Sequence, residues 1–356
     1  MRQNSSSRYQ LLFKFAFLVL CVLWLGGCAT VGWYGQAAVG QIEMLCKREP
    51  VDRLLADPDI PDALRARLKT ALEVREFAMA ELALPDSPSY TYYADLEREA
   101  VVWNVVATPR FSMQPRTWCY PFVGCLAYRG YFREAAADRQ ALRLADRNYD
   151  VAVVPAVAYS TLGWFADPVL NTMLAYDDTW LAGLIFHELA HEKLFVRDDT
   201  AFNEAYARLI EREGVRRWLR SRGENERLAQ WEADQLRHEA FIGLLLEARA
   251  ELVELYATDL PEPEMAAGKQ ATFERLRDRI AAFSHEQGTD RYQGWLARDV
   301  NNAHLASVAT YEAGVAAFAE LLEADCGGDI ECLHAKAADM ADWSAARRAR
   351  FLGRED

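Results

Sequence analysis

The stretch Leu181-Ala182-Gly183-Leu184-Ile185-Phe186-His187-Glu188-Leu189-Ala190-His191 decides how this chain reads. It is apolar until it meets two histidines and a glutamate. Residues four apart on an α-helix lie about 40° apart on one face, so His187 and His191 can reach one metal ion. Glu188 projects about 100° from His187, close enough to touch a water on that metal but outside the ligand set. Two ligands and a general base then occupy a single turn, which is what metal-assisted hydrolysis needs. Burying such a group in an apolar helix is costly unless it has a partner. In a chain with six histidines, chance produces this spacing on the order of once in a hundred sequences.

A catalytic zinc site usually takes three protein ligands and keeps a position open. A third histidine at the extended spacing is absent, because Leu194 and Arg197 stand where a Gly and a His would be. After Asp198-Asp199 the next helix begins near Thr200 and carries Phe202-Asn203-Glu204-Ala205-Tyr206-Ala207. A short loop turns it back on the first helix and sets Glu204 in its first turn, facing the histidines. The expected ligands are His187, His191 and Glu204, with Glu211, two turns further on, in reserve. The helix dipole also favours a first-turn glutamate such as Glu204 for purely structural reasons.

Around this motif the chain divides into a mixed first half and a helical second half. Apolar runs at Glu99–Thr108, Pro121–Tyr131 and Tyr149–Ser160 predict strands, the last tolerating Pro155 at an edge or bulge. Pro61–Leu82 and Arg133–Arg147 read as helices, and from Thr179 onward helices are expected over 179–195, 201–221, 226–257, 264–284, 297–324 and 332–350. The fold class expected is α+β, predominantly helical, with one domain over residues 28–356. With 356 residues, 51% apolar and 26% charged, the chain can bury a large core, which excludes wholesale disorder. A net charge of −13 would repel a phosphate backbone, so nucleic acid is not an expected partner.

"HELAH" followed by "NEAYA" resembles the gluzincin metallopeptidases, whose third zinc ligand is a Glu in an Asn-Glu-x-x-Ala segment. The longer strings "CYPFVGCLAYRGYF", "AYSTLGWFADPVL", "HELAHEKLF", "FNEAYA" and "NNAHLASVATY" are similar to a bacterial family of aminopeptidase-type lipoproteins, whose activity label itself rests largely on HExxH. The resemblance covers most of the chain and implies a zincin-like fold, Zn2+ and a peptide substrate. Glu204 follows His191 by 13 positions, closer than in the best-known gluzincins. Arg208 stands where the thermolysin-like pattern has an Asp that supports a ligand histidine. Asp198 and Asp199 could take that supporting role or simply cap the loop. Tyrosines suited to stabilise an oxyanion are Tyr128, Tyr159, Tyr206 and Tyr311. Tyr159 and Tyr311 are preferred: the first ends a strand before the metal helix, and the second shares a helix face with His304. The activity expected is a zinc-dependent peptidase, foremost an aminopeptidase. An endopeptidase, or an envelope protein that uses the fold for binding, are the alternatives.

The first residues read as an address. Arg2, Arg8 and Lys14 precede an apolar run from Phe15 to Leu25, too short to span a bilayer. The run ends in Leu25-Gly26-Gly27-Cys28, which resembles the lipobox of bacterial lipoproteins. The resemblance implies removal of residues 1–27, acylation of Cys28 and a membrane anchor. Ala29 in place of Asp implies the outer membrane, facing the periplasm. Export also suits the cysteines: Cys119 with Cys125 and Cys326 with Cys332 form two close pairs and predict disulfides, leaving Cys46 unpaired.

Overall fold

The computed structural model describes residues 27–120, 124–312 and 314–353. Residues 1–26, which make up nearly all of the expected signal 1–27, and the side chains of Cys28 and Tyr311 lie outside the described residues. Two units are distinguished, one ending at Cys46 and one spanning Lys47–Asp356. In the first, helix α1 runs Gly27–Cys46 and carries the exposed free Cys46. No helix among the described residues is long and apolar enough to cross a membrane.

The second unit is α+β and mostly helical. Its main sheet has three antiparallel strands, with β3 (Val102–Pro109) between β6 (Tyr128–Tyr131) and β7 (Tyr149–Ala156). Asn104 pairs with Gly130 on one side and Val154 on the other. Strand β7 lies at an edge, which accommodates Pro155 and its missing N–H. The expected strand over 121–131 is instead two strands: β5 (Gly124–Leu126) folds back on β4 (Trp118–Tyr120), and β6 joins the main sheet. A second small sheet of β1 (Glu49–Pro50), β2 (Tyr92–Ala94) and β8 (Val169–Leu170) brings the chain before and after the main sheet together. Its strands are two or three residues long, too short for periodicity to reveal.

Among the helices, α2 covers Val51–Ala56, α3 Asp62–Glu81, α4 Glu134–Ala145 and α5 Asn171–Leu174. Helix α6 (Asp178–Lys193) is capped by Asp177, which accepts from the Trp180 N–H at 2.9 Å. Its buried residues surround the axis, as expected of a helix that is apolar all round and belongs to the core. It packs on α3 and, most extensively, on α7 (Thr200–Ser221). Small residues let α6 and α7 approach closely. A Cβ on Gly214 would stand 2.5 Å from Phe186 Cδ2 and 2.8 Å from Leu82 Cδ1.

Helices α8 (Asn225–Tyr256) and α9 (Glu262–Glu286) form a long pair around Phe241, Leu245, Leu252, Leu276 and Ile280. After the short α10 (Gln293–Leu296), the single helix expected over 297–324 is broken. It comprises α11 (Asn302–Glu312), α12 (Val315–Glu320) and a π-helical turn, Leu321–Asp325. Gly314 interrupts it with a φ of 93°, packed so tightly on Leu352 that a Cβ would stand 2.6 Å from Leu352 Cδ2. Helix α11 packs on the main sheet, where Ala303 meets Val106 and Ala152, and also on α7. It therefore sets the sheet at a fixed distance from the helix carrying Glu204. The segment 332–350 is also two helices, α13 (Ile330–Ala341) and α14 (Ala345–Phe351). Ser344 caps α14, and Arg348 bonds the carbonyls of Ala341 and Trp343 between them.

Both expected disulfides are formed, Cys119–Cys125 across the β4–β5 hairpin and Cys326–Cys332 across the turn into α13. The second loop is tied to α7 by Arg217 Nη2, which donates to the Gly328 carbonyl at 2.6 Å.

The crossing of α6 and α7 gives a test whose sign is opposite to helix propensity. In an open helix Gly214→Ala would gain about 1 kcal/mol. Here it should destabilise by about 1–3 kcal/mol through overpacking against Phe186 and Leu82. A chemical-denaturation midpoint that rises would show that the crossing is looser than described.

Candidate metal centre

The turn between α6 and α7 is built by side chains from its own sequence. Helix α6 ends at Leu194, whose backbone is extended (φ −147°, ψ 122°). Asn203 then clamps the connecting loop: its Oδ1 accepts from the Val196 N–H at 2.7 Å, and its Nδ2 donates to the Val196 carbonyl at 2.8 Å. Asp199 caps α7 through the Phe202 N–H at 3.2 Å and pairs with Arg348 Nε at 2.6 Å. Asp198, at φ 65°, accepts from the Cys125 N–H at 2.6 Å, docking the disulfide hairpin on this loop. Both aspartates are therefore loop anchors, and neither bonds a ligand imidazole.

The clamp leaves Glu204 opposite the two histidines. His187 Nε2 and His191 Nε2 are 3.1 Å apart. Glu204 Oε2 stands 3.3 Å from His187 Nε2 and 3.7 Å from His191 Nε2. His191 and Glu204 are buried, His187 is nearly so, and Glu204 Oε2 has no hydrogen-bond partner. Atoms at the corners of a tetrahedron about 2.0–2.1 Å from a central zinc lie about 3.3–3.4 Å apart. The three donor atoms match such a face, and a buried carboxylate oxygen with no hydrogen bond is what a cation would satisfy. The residues thus fit zinc.

Glu211, the reserve ligand, has a different role. Its Oε2 lies 3.1 Å from His187 Nδ1, on the far side of the ring from the other two donors. Arg208 grips it at both oxygens, at 2.7 and 2.8 Å. The support that an Asp at position 208 would have provided thus comes from Glu211, one turn later, with Arg208 holding it. Burial opposes charge on Glu211, but the Arg208 cation and the His187 hydrogen bond prevail and hold its carboxyl down at about 2. Burial likewise pushes the His187 pKa down, yet the nearby Glu204 carboxylate and the hydrogen bond to Glu211 carry it up to about 10. Burial also opposes charge on Glu204, and the two imidazoles reverse this to bring its pKa well below the usual carboxylate range. Glu188 moves the other way. Burial raises its pKa against the lowering by His187 and His191, so among these carboxylates it is the one suited to take up a proton.

The tyrosines separate. Tyr128, on β6, has its ring against Val106, Ala152 and Ala303, and the charges nearest its hydroxyl are Glu204 and Glu188. Burial, then those charges, keep it protonated and able to donate. Tyr159 lies past the end of β7, 38% exposed, with its ring edge-on to Phe132 at 5.4 Å. Tyr206 is fully buried and its hydroxyl is 2.7 Å from His334 Nδ1, while His334 Nε2 donates to the Leu82 carbonyl. His334 is thereby fixed as an acceptor and Tyr206 as a structural donor. His304 Nδ1 lies 3.0 Å from Asn301 Oδ1, at the start of α11. Glu192, one turn along α6 from Glu188, and Tyr90, on which both charges act, are absent from the sequence-based candidates. Glu192 could have been found by extending HExxH one residue, because it repeats Glu188 four positions on. Tyr90 carries no local signal.

Orientation of a ligand histidine by Glu211 should be measurable. Glu211→Gln is expected to weaken zinc affinity by about 10–100-fold in a chelator competition. In the metal-free protein, a carboxyl whose pKa falls from 4.5 to about 2 on folding contributes stability above pH 4.5, lost as pH falls toward 2. The same substitution should flatten that part of the acid-unfolding profile. Unchanged affinity would assign Glu211 to packing alone.

Comparison with known proteins agrees on one point. No curated protein and no solved structure matches the chain. A family model does match, over residues 32–352, which takes in every residue of the metal centre and both disulfides. The chain therefore belongs to the family described as "Putative aminopeptidase".

Proposed function

We propose that the protein is a zinc-dependent peptidase of gluzincin type that removes N-terminal residues from peptides. The observation that carries this reading is the convergence of His187, His191 and Glu204 with Glu188 beside them. Zinc held by the first three would supply Lewis acidity, lowering the pKa of water and polarising a scissile carbonyl. Glu188 accepts the water's proton and delivers it to the leaving amine, a role that its raised pKa favours. The Tyr128 hydroxyl, kept protonated by burial and by the charges of Glu204 and Glu188, donates to the oxygen that gains negative charge. Glu211 and Arg208 keep the His187 ring from turning. A protein that only bound peptides would have no use for Glu188. Residue Glu188 thus favours catalysis over a purely binding role.

His187→Ala should lose both zinc and peptide hydrolysis. Glu188→Gln should keep about one zinc per chain by elemental analysis and lose about 10²–10⁴-fold in kcat. Full turnover in Glu188→Gln would remove Glu188 as the base, and loss of zinc would make it a ligand.

The same reading places the protein in the cell envelope, processed before Cys28 and lipid-anchored at the outer membrane. Acyl chains contribute about 0.8 kcal/mol per buried CH₂, and two or more hold a protein stably. The acidic chain offers no attraction to anionic lipid. Detergent, but not high salt, should therefore release it from membranes, and Cys28→Ser should abolish the processed, anchored form. Release by salt alone would rule out acylation.

A further inference from the structure

Glu188 and Glu192 lie one turn apart on the same face of α6. Ser89, fully buried, donates its hydroxyl to Glu192 Oε1 at 2.6 Å, and its own Oγ accepts the Asp167 N–H at 3.2 Å. One Glu192 oxygen is thus fixed. The other, Oε2, lies under the turn at Gly163, where a Cβ would stand 3.5 Å from it. The loop holding that turn is anchored at three points. Arg48 Nη1 donates to the Ala166 carbonyl at 2.7 Å, the Tyr90 N–H to the Asp167 carbonyl at 2.7 Å, and Thr161 to both Asp167 oxygens at 2.7 and 2.8 Å. Asp167 is itself buried. Burial, and after it the charges of Glu192 and Glu188, raise its pKa to about 7 against the lowering by the Thr161 hydrogen bonds.

Tyr90 points to a ligand independently of the carboxylates. It is only 3% exposed, and among the described residues its one hydrogen bond is from the backbone N–H to the Asp167 carbonyl. The charges that act on that hydroxyl belong to Glu188, Asp167 and Glu192. Its φ of 64° is unusual for a bulky side chain, and the Asp167 carbonyl holds the backbone there. The result is a buried phenol whose hydroxyl has no partner of its own and feels three carboxylates.

The missing partner is a small cation with several N–H donors. Within one residue the amine nitrogen and the carbonyl carbon are about 2.5 Å apart. Successive turns of a helix are about 5.4 Å apart. A carbonyl presented to Glu188 therefore brings the amine of its own residue toward Glu192. We propose that Glu192 Oε2 and the Tyr90 hydroxyl receive the free α-ammonium group of the substrate's first residue. Ser89 positions Glu192, and the Asp167 backbone holds both Ser89 and Tyr90 in place. An acylated nitrogen carries no charge and has at most one N–H, so it leaves the carboxylates uncompensated. This selects exopeptidase over endopeptidase cleavage. It deepens the peptidase reading and rests on it for the position of the carbonyl.

The test is binding, separate from turnover. Calorimetry on the metal-free full-length chain compares L-leucinamide with N-acetyl-L-leucinamide. The free amine should bind at least ten-fold more tightly. Glu192→Gln should erase that discrimination, and Tyr90→Phe should reduce it several-fold. Melting curves check that each variant folds, and Tyr90→Phe, which keeps the ring, carries the test if Glu192→Gln does not. Equal binding of the two ligands, binding of neither, or unchanged discrimination in the folded variants would overturn the assignment. Selective binding without hydrolysis of any peptide by the zinc-loaded chain would keep the ammonium pocket and remove the peptidase. Hydrolysis of N-blocked and free peptides at equal rates would do the reverse.

Discussion

The two hydrogen bonds between Asn203 and the backbone of Val196 fix the angle at which α7 returns along α6. Without that clamp the loop of Leu194–Asp199 has no reason to deliver Glu204 rather than Ala201 or Ala205 to the histidines. A buried amide satisfied at both ends is a stringent device: removing either partner strands a polar group in the core. The small residues at the helix crossing depend on the same angle. Gly183, whose added Cβ would stand 3.2 Å from Glu211 Cγ, lets the supporting carboxylate pass close to α6.

Charge at the centre is arranged in a chain. Arg208 neutralises Glu211, Glu211 bonds His187, and His187 and His191 face Glu204. Each buried ion has a counterpart, which is the condition for keeping ions in a low-dielectric interior. Glu204 Oε2, which lacks a hydrogen bond, and the carboxylates around Asp167 are the places where the protein's own groups leave the chain open. A binding site has to be electrostatically incomplete in just this sense, since a fully compensated interior has nothing to offer a ligand.

The candidate metal residues were legible because they are local. His187, Glu188 and His191 share one turn, and Glu204 follows within one short loop, so helical periodicity alone brings them together. The disulfides were legible for the same reason, each closing six positions. The roles of Glu211 and Arg208 were not: periodicity offered Glu211 only as a reserve ligand, and only the α6–α7 crossing sets it against His187 Nδ1 with Arg208 holding it. Tyr90, Ser89 and Asp167 meet Glu192 through strands of two or three residues, which leave no periodic trace. The breaks at Gly314 and Ser344 were missed because long alanine-rich helices are the better guess from propensity. What overrides it is tertiary: the tight approach of Leu352 to Gly314 and the Arg348 bonds to Ala341 and Trp343.

The span of chain enclosed by each contact also orders the assembly of the site. The α6–α7 hairpin closes over a handful of residues, whereas Ser89 and Glu192 are 103 positions apart. Loop-closure entropy and contact order both favour the hairpin forming first. A nascent chain can therefore hold His187, His191 and Glu204 in register before the wall beside Glu192 has docked. Metal capture at that stage would stabilise the hairpin while the remaining chain searches for its place. Selectivity for the end of a peptide would be among the last properties the folding protein acquires.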